Sequence, residues 1–257
     1  SLLAILPTSG GKSLCFQLPA LVRYLRRALL TIVITPLQAL MKDQLDNLRE
    51  KSGTLHAFTI NGLLTPPERA EALEAIRNGQ AGILYISPEQ LRNASFRQAV
   101  MHREIGCWVF DEAHCLSKWG HDFRPDYLYA ARFIKELARE QGQGIPAVAC
   151  FTATAKQEVV EEIRRHFGEI LQRKLHLFRG RPERSNLAFS VESSPQPQKE
   201  RRIAELLGEK LGGRGGAAIV YVATRREADR IAERLAQGEW RAAGFHAGLD
   251  PNRKKEI

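Results

Sequence analysis

Short apolar runs alternate along the chain with stretches of helical periodicity. Most runs are apolar at every position, as is typical of strands that helices cover on both faces. They occupy residues 2–6, 31–35, 56–60, 82–86, 105–110, 147–151 and 217–222. Apolar side chains at helical spacing occur between them, notably in residues 37–48 and 228–236. This alternation predicts an α/β fold, a parallel sheet flanked by helices.

Hydroxyl residues followed by proline mark three of the predicted helix starts. Thr35, Thr65 and Ser87 each precede a proline and have Gln or Glu three residues later, which is the pattern of a capped helix with proline in its first turn. Thr154 repeats the pattern without the proline. Because these helices follow strands directly, they begin at the carboxyl edge of the sheet, where ligands bind in open parallel folds.

The first apolar run leads into a turn of small residues and then into a helix. We expect a phosphate-binding loop here, since glycines let backbone N–H groups surround phosphate oxygens at a positive helix end. Lys12 would reach the β- and γ-phosphates of a nucleotide, and the Ser13 hydroxyl would bind Mg²⁺. An ordinary glycine-rich turn is the alternative, because Leu6 stands where the strict pattern has glycine. The expected nucleotide-binding residues are Thr8, Ser9, Gly10, Gly11, Lys12 and Ser13.

Two adjacent carboxylates, Asp111 and Glu112, follow the apolar run 105–110. A phosphate loop needs a second strand-end acid to hold Mg²⁺, here Asp111. Hydrolysis needs a base that positions water, here Glu112. An acidic turn without function is the alternative for the pair taken alone, but together with Lys12 it predicts a catalytic site.

Composition indicates a class of binding partner and a cellular compartment. The 257 residues carry a net charge of +9, which favours a polyanionic partner. No apolar stretch approaches the roughly 18 residues of a membrane span, and no signal peptide is recognisable, so we expect a cytoplasmic protein, in bacterial cytoplasm or nucleoid, without membrane contact.

The cysteines lack metal-ligand spacing and are expected to be buried, reduced thiols; they are Cys15, Cys107, Cys115 and Cys150.

A change in composition near residues 178–186, Phe-Arg-Gly-Arg-Pro-Glu-Arg-Ser-Asn, predicts two domains. The first covers residues 1–178, a linker covers 179–186, and the second covers 187–257. The second has one clear strand–helix pair, too little for a full sheet. The chain also starts inside a strand without Met, so we expect it to be part of a longer protein.

Asp111-Glu112-Ala113-His114, together with the upstream Gly-Lys-Ser, resembles superfamily 2 helicases. The continuation 115–127 and the segment 6–20, which contains the phosphate loop, resemble the RecQ family of DNA helicases more specifically. That resemblance extends through Thr35–Gln44, 85–89 and 151–155 to 219–222 and 245–249. It implies a RecA-like P-loop NTPase fold with a truncated second RecA-like domain. It also implies binding of ATP and Mg²⁺, with hydrolysis stimulated by single-stranded DNA.

The same resemblance implies 3′→5′ translocation and unwinding of duplex DNA in repair and recombination. The family's nucleotide-base motif would lie before Ser1, and the arginine that completes its ATP site would lie after Ile257. We therefore expect the 257 residues alone to hydrolyse ATP very poorly and not to unwind DNA. The family's zinc-binding region has no counterpart, so no zinc is expected.

An aromatic and basic cluster follows the carboxylates. Trp119, Phe123 and Tyr127 are interleaved with His121 and Arg124; aromatic rings stack on single-stranded bases and Arg contacts phosphate. A partly buried aromatic turn is the alternative. The resemblance implies that Trp119, His121, Phe123 and Arg124 couple DNA binding to ATP hydrolysis.

Other coupling and contact residues come from the resemblance. His114 of the acidic motif and the strand-end Thr152 and Thr154 would couple ATP turnover to unwinding, although Thr154 could simply cap a helix. The family contacts the DNA backbone in the region of Thr35, Lys42, Asp43 and Gln44, and the sequence leaves open which of these side chains do so. Arg225 and Arg226 could face nucleotide or DNA or simply start a solvated helix, and His246 lies in a family-like motif.

Two other function classes stay open. One is an RNA-directed helicase or remodelling ATPase of the same superfamily, against which the aromatic segment counts. The other is a non-catalytic nucleic-acid-binding module of the same fold, against which the presence of Lys12, Asp111 and Glu112 counts.

Overall fold

In this computed structural model the described residues are 1–118, 123–153, 156–180, 186–212, 215–238, 240–250, 253 and 257. The chain divides into two compact units, Ser1–Arg184 and Ser185–Ile257. The predicted linker, 179–186, overlaps this division. Within the described part of the chain, no helix is both long and apolar enough to cross a membrane.

The first unit alternates strands and helices as predicted. Its strands are β1 (Leu2–Ile5), β2 (Leu30–Ile34), β3 (Ala57–Ile60), β4 (Ile83–Ile86), β5 (Ile105–Phe110), β6 (Ala147–Thr152) and β7 (His176–Arg179). Its helices are α1 (Lys12–Arg27), α2 (Gln38–Ser52), α3 (Pro66–Arg77), α4 (Ala94–Met101), α5 (Pro125–Glu140) and α6 (Gln157–Leu171). Short 3-10 helices occupy Pro88–Arg92 and Ala113–Leu116.

The seven strands form one parallel sheet in the order β3-β4-β2-β5-β6-β1-β7. This confirms the predicted fold class. In register, Ile34 of β2 pairs with Phe110 of β5, and Ile5 of β1 pairs with Thr152 of β6. The carboxyl ends of β2, β5, β6 and β1 therefore lie side by side, and the residues that follow these strands share one edge.

Alternate residues of each strand enter different cores, because successive side chains point to opposite sheet faces. Leu3, Ile34 and Trp108 pack with residues of α3 to α6, whereas Ala4, Val33 and Val109 pack with α1 and α2. Both faces are covered, which explains why the strands are apolar throughout. The edge strand β7, whose four residues are all exposed, was not predicted.

The helix starts follow the predicted pattern only in part. The Thr65 prediction is confirmed: its side chain and that of Glu68 form a capping box at the start of α3. Thr35 is not a cap, because α2 begins at Gln38 with Leu37 as N-cap, and the Thr35 hydroxyl is buried without a hydrogen-bond partner among the described residues. The Thr35 hydroxyl is buried because Thr35 directly follows and extends the buried strand β2.

Two further helix starts are predicted, at Ser87 and at Thr154. Ser87 precedes a 3-10 helix, and its hydroxyl bonds to Glu89 rather than capping a helix. Helix α6 has Lys156 as its N-cap, whereas Thr154 lies outside the described residues. The helix after the 3-10 turn, α4, is capped instead by Asn93, whose side chain accepts hydrogen bonds from the backbone of Ser95 and Phe96.

The second unit contains α7 (Lys199–Leu211) and α8 (Arg225–Ala236) besides a short 3-10 turn at Gln196–Gln198. The strand predicted at 217–222 is wrong, because these residues have no regular structure, and Ile219 and Tyr221 are 78% and 90% exposed. An apolar run becomes a strand only where neighbouring strands bond to it, and no described segment of this unit provides one.

Candidate active site

The loop after β1 has the backbone geometry that the sequence predicts. Ser9 and Gly11 adopt left-handed conformations, with φ of 61° and 78°, and Gly11 is the N-cap of α1. The Gly10 N–H donates to the Pro7 carbonyl at 2.9 Å, and a β-carbon at Gly10 would lie only 2.8 Å from that oxygen. The turn therefore requires glycine at position 10, and Thr8 to Gly11 are exposed at its surface.

Lys12 lies across the inner side of this loop. Its Nζ donates to the carbonyl oxygens of Leu6 and Pro7 at 3.3 and 3.4 Å. The ammonium charge also acts on Asp111 and Glu112 and lowers the pKa of each carboxyl group, although it is a minor cause for both. The structure thus brings together the three residues predicted to be catalytic.

Asp111 is held on several sides. Its backbone N–H donates to the Ile34 carbonyl at 2.9 Å, and the Tyr127 hydroxyl donates to its own carbonyl at 2.9 Å. Its carboxylate accepts the Glu112 N–H at Oδ1 (3.0 Å) and the Gln44 amide at Oδ2 (3.2 Å). Burial and then the Glu112 charge raise the pKa of Asp111, and the Gln44 and Glu112 hydrogen bonds oppose that rise.

Glu112 and His114 form a pair at the start of the 3-10 helix. Glu112 has a left-handed backbone, φ 47°, and His114 Nδ1 lies 3.3 Å from its Oε2 and 2.9 Å from Thr152 Oγ1. The Cys115 thiol and the Glu112 carboxylate raise the pKa of His114 to about 10. The hydrogen bond with His114 lowers the pKa of Glu112, so at neutral pH the pair is an imidazolium and a carboxylate.

The donor set fits a nucleotide with Mg²⁺. Within the described ranges, no three His, Cys, Asp or Glu side chains are grouped to hold a metal ion. Mg²⁺ is usually bound by one or two carboxylates together with substrate phosphates, and Ser13 and Asp111 offer the hard oxygen ligands it prefers. The Gln44 Oε1 atom beside Asp111 is buried and has no described hydrogen-bond partner, which leaves an acceptor for a further donor.

The segment after His114 is only partly described. Trp119 and His121 lie outside the described residues, and Phe123 is half-buried. Arg124 Nη1 donates to the Pro36 carbonyl at 2.9 Å, which joins this segment to the turn before α2. Arg124 is thus placed between the aromatic segment and a second strand end.

Tyr127 does not belong to an exposed aromatic cluster, contrary to the prediction. Its side chain is fully buried, its ring lies 6.2 Å from that of Phe110, and its hydroxyl is bonded to Asp111. The reason is helical spacing, since Tyr127 lies on the face of α5 that buries Ala131 and Ile134. It therefore cannot stack on a base.

The residues between the end of β2 and the first turns of α2, where the resemblance implies contact with DNA, separate into two sets. Lys42 and Asp43 are exposed, whereas Gln44 points to Asp111 and Thr35 is buried. The sequence contained a signal for Gln44: it lies three residues after Met41 and four before Leu48, on the buried face of α2.

The described contacts of the candidate residues in the second unit lie within that unit. Arg225 and Arg226 are exposed in the first turn of α8, where Thr224 and Glu227 form a capping box. His246 Nε2 lies 3.0 Å from Asp229 Oδ1. These contacts are internal to the unit and assign no ligand to it.

All four cysteines are free. Cys107, Cys115 and Cys150 are buried as predicted, but Cys15 is exposed. It lies on the outer face of α1, next to the exposed Leu14 and Leu18, whereas Phe16 and Ala20 face the core.

The DEAD/DEAH box helicase family model matches residues 1–163. Relatives include the ATP-dependent DNA helicase RecQ of Bacillus subtilis, 40% identical over 98% of this chain, and the probable ATP-dependent DNA helicase RecS of the same organism, 36% identical over 96%. The mouse ATP-dependent DNA helicase Q5 is 35% identical over 98% of the chain. These relatives confirm the resemblance to RecQ helicases; the chain spans 39%, 46% and 26% of their lengths.

Solved helicase structures share the fold. The DUF1998 helicase MrfA bound to DNA has a TM-score of 0.69 at 18% identity, covering 100% of this chain and 37% of that chain. The DEAD-box helicase Mss116 bound to single-stranded RNA has a TM-score of 0.68 at 14% identity, with coverages of 100% and 54%. At such identities the likeness concerns the fold, and the family rests on the sequence match over residues 1–163. The chain belongs to the DEAD/DEAH box helicase family.

Proposed function

We propose that this chain acts within an ATP-dependent DNA helicase of the RecQ type. Hydrolysis of ATP, stimulated by single-stranded DNA, would drive 3′→5′ translocation and duplex unwinding. The observation that carries the proposal is the convergence of Lys12, Asp111 and Glu112 at the carboxyl edge of one parallel sheet. The names of the relatives, which are DNA helicases, support DNA as the partner.

Each residue of the site has a distinct task in this proposal. Backbone N–H groups of Ser9 and Gly11 and the Lys12 ammonium would bind the β- and γ-phosphates. Ser13 and Asp111 would hold Mg²⁺, which stabilises the negative charge that builds up on the phosphate oxygens. Glu112 would orient the attacking water and accept its proton.

The Glu112–His114 pair supplies a means of control. A carboxylate bonded to an imidazolium is a weak base, because that partner stabilises its charged form. When His114 instead bonds only to Thr152, Glu112 regains basicity. Because Thr152 ends β6 and His114 precedes the aromatic segment, this exchange of partners would link hydrolysis to movements of that segment.

ATP hydrolysis by the full-length gene product tests the proposal. It is measured without nucleic acid, with single-stranded DNA and with RNA, beside the Lys12→Ala variant. We expect strong stimulation by DNA only and loss of activity in the variant. Stimulation by RNA alone would favour the RNA-directed alternative, and absence of hydrolysis would favour the binding module. Duplexes with a 3′ or a 5′ tail then test the direction of unwinding.

A further inference from the structure

We propose that Gln44 is a positioning residue for Asp111, which fixes the carboxylate that binds Mg²⁺, and that Gln44 is not a contact to the DNA backbone. This inference rests on the proposed function, since the role of Asp111 as a metal ligand belongs to it. It adds a residue on α2 to a site otherwise built from the ends of β1, β5 and β6.

The other contacts of Asp111 leave its carboxylate free to rotate, and the hydrogen bond from Gln44 prevents this rotation. Ile34 and Tyr127 fix the backbone of Asp111, and the neighbouring Glu112 N–H holds Oδ1. The other carboxylate oxygen, Oδ2, accepts its hydrogen bond from Gln44 Nε2 at 3.2 Å, and this carboxylate contact comes from a distant part of the chain. Without it, the carboxylate could rotate about its Cβ–Cγ bond, because Glu112 alone holds one oxygen.

Gln44 is itself held in place by the packing of α2. Met41 and Leu48, one turn before and after it, are 0% and 7% exposed and pack against the sheet. An ionised carboxylate only accepts hydrogen bonds, so the amide nitrogen of Gln44, and not its amide oxygen, must bond to Asp111. The orientation of the side chain is thus determined by chemistry as well as by position.

The amide oxygen of Gln44 gives a second, independent observation. Oε1 is buried and has no hydrogen-bond partner among the described residues, and a buried acceptor left unpaired is costly. A hydrated divalent cation brings suitable donors, because Mg²⁺ usually keeps several of its water molecules when it binds. Gln44 therefore combines a donor that bonds to Asp111 with a buried acceptor that a donor bound at the site would satisfy.

The residues that precede Gln44 on α2 are exposed and differ from Gln44 in what they can contact. Lys42 and Asp43 point to solvent from the same turn of α2, so that face of the helix is available to a nucleic acid. The Gln44 amide nitrogen is already used by Asp111. A phosphate group could be bound by Gln44 only if the bond to Asp111 were broken.

The test compares Gln44→Met with Asn47→Met in the full-length protein. Methionine keeps the length of the Gln44 side chain and removes its hydrogen bonds. Asn47 lies on the same helix but is exposed and bonds to the Asp43 carbonyl, so it is the matched control. ADP affinity is measured by calorimetry with Mg²⁺ and with EDTA, which requires no turnover, and single-stranded DNA affinity is measured without nucleotide.

We expect Gln44→Met to weaken ADP binding about 10-fold or more in Mg²⁺, the usual effect of losing a partner of a metal ligand, and to leave binding in EDTA and DNA affinity unchanged. Asn47→Met should match the wild type throughout. Equal Mg²⁺-dependent affinities for Gln44→Met and wild type, or a loss of DNA affinity confined to Gln44→Met, would overturn the inference. If the wild type binds no ADP in Mg²⁺, the proposed function fails instead.

Discussion

At the scale of single residues, His114 has a strongly raised pKa. Its imidazole contacts Cys115, Glu112 and Thr152, and its pKa is raised to about 10. A raised pKa means that the folded state binds the proton more tightly than the unfolded state. The resulting stabilisation is fully present below pH 6.5 and is lost as the pH rises through 10.

We therefore predict that His114→Gln lowers the free energy of unfolding by about 2 kcal/mol at pH 6, the size expected for hydrogen bonds to charged groups. The difference from wild type should shrink steadily above pH 6.5 and approach zero near pH 10. Urea unfolding at a series of pH values measures it. A difference that does not change between pH 6 and pH 10 would show that His114 is not held as a cation.

Arg103 has a structural role at the opposite edge of the sheet. It is buried, and its guanidinium donates to the carbonyl oxygens of Ile76 at 2.7 Å and of Ala28 and Ala81 at 3.0 Å. These acceptors belong to the ends of α3 and α1 and to the turn before β4. A single side chain thus links three carbonyl groups from three separate segments of the chain.

We predict that Arg103→Met destabilises the protein by about 3 kcal/mol, because the buried acceptors lose charged donors. The exposed Arg139 of α5 is the control, and Arg139→Met should change stability by less than about 0.5 kcal/mol. Thermal and urea unfolding of both variants give the comparison. Equal effects of the two substitutions would contradict this role of Arg103.

Helix starts show how an element depends on its surroundings as well as on its sequence. Thr65 and Thr35 occur in the same motif, yet only Thr65 caps a helix. We predict that Thr65→Ala costs about 1 kcal/mol of stability, the usual value for a lost cap. Thr35→Val, which removes a buried hydroxyl without a described partner, should be neutral or stabilising. Chemical denaturation of the two variants measures both changes in the free energy of unfolding. A loss of stability in Thr35→Val as large as that in Thr65→Ala would contradict the conclusion that only Thr65 is a cap.

Local motifs predicted the elements that bear the site, but not the contacts between those elements. Lys12, Asp111 and Glu112 could be predicted as catalytic residues because each follows an apolar strand in a short sequence motif. Gln44 and Tyr127 could not be assigned in the same way, since their partner Asp111 lies 67 and 16 residues away in sequence. Helical spacing indicates that both side chains turn inward, but it does not indicate which polar group they meet.

The two units of the molecule differ in the amount of buried structure. The first contains both apolar cores, whereas no described residue of α7 or α8 is buried. An apolar run such as 217–222 was predicted as a strand because sequence alone gives its β-propensity and not the presence of neighbouring strands. Stability should therefore be concentrated in the first unit.

We predict that amide hydrogen exchange of the 257-residue chain reflects this difference. Amides of β2, β4 and β5 should exchange at least about 1,000-fold more slowly than those of α7 and α8, which corresponds to about 4 kcal/mol of protection. Exchange followed by mass spectrometry measures both regions in one sample. Similar protection in α7 and β5 would contradict the prediction.

The position of β1 between β6 and β7 has a consequence for biosynthesis. Residues 2–5 pair with 149–152 and 176–179, so β1 leaves the ribosome roughly 10 to 35 s before β7 at about 5–20 residues per second. Until β6 has been synthesised, the loop that follows β1 lacks the Thr152 carbonyl that accepts the Leu6 N–H. The nascent chain therefore carries an unpaired apolar strand that chaperones can recognise, and nucleotide can stabilise the domain only after synthesis has passed β6.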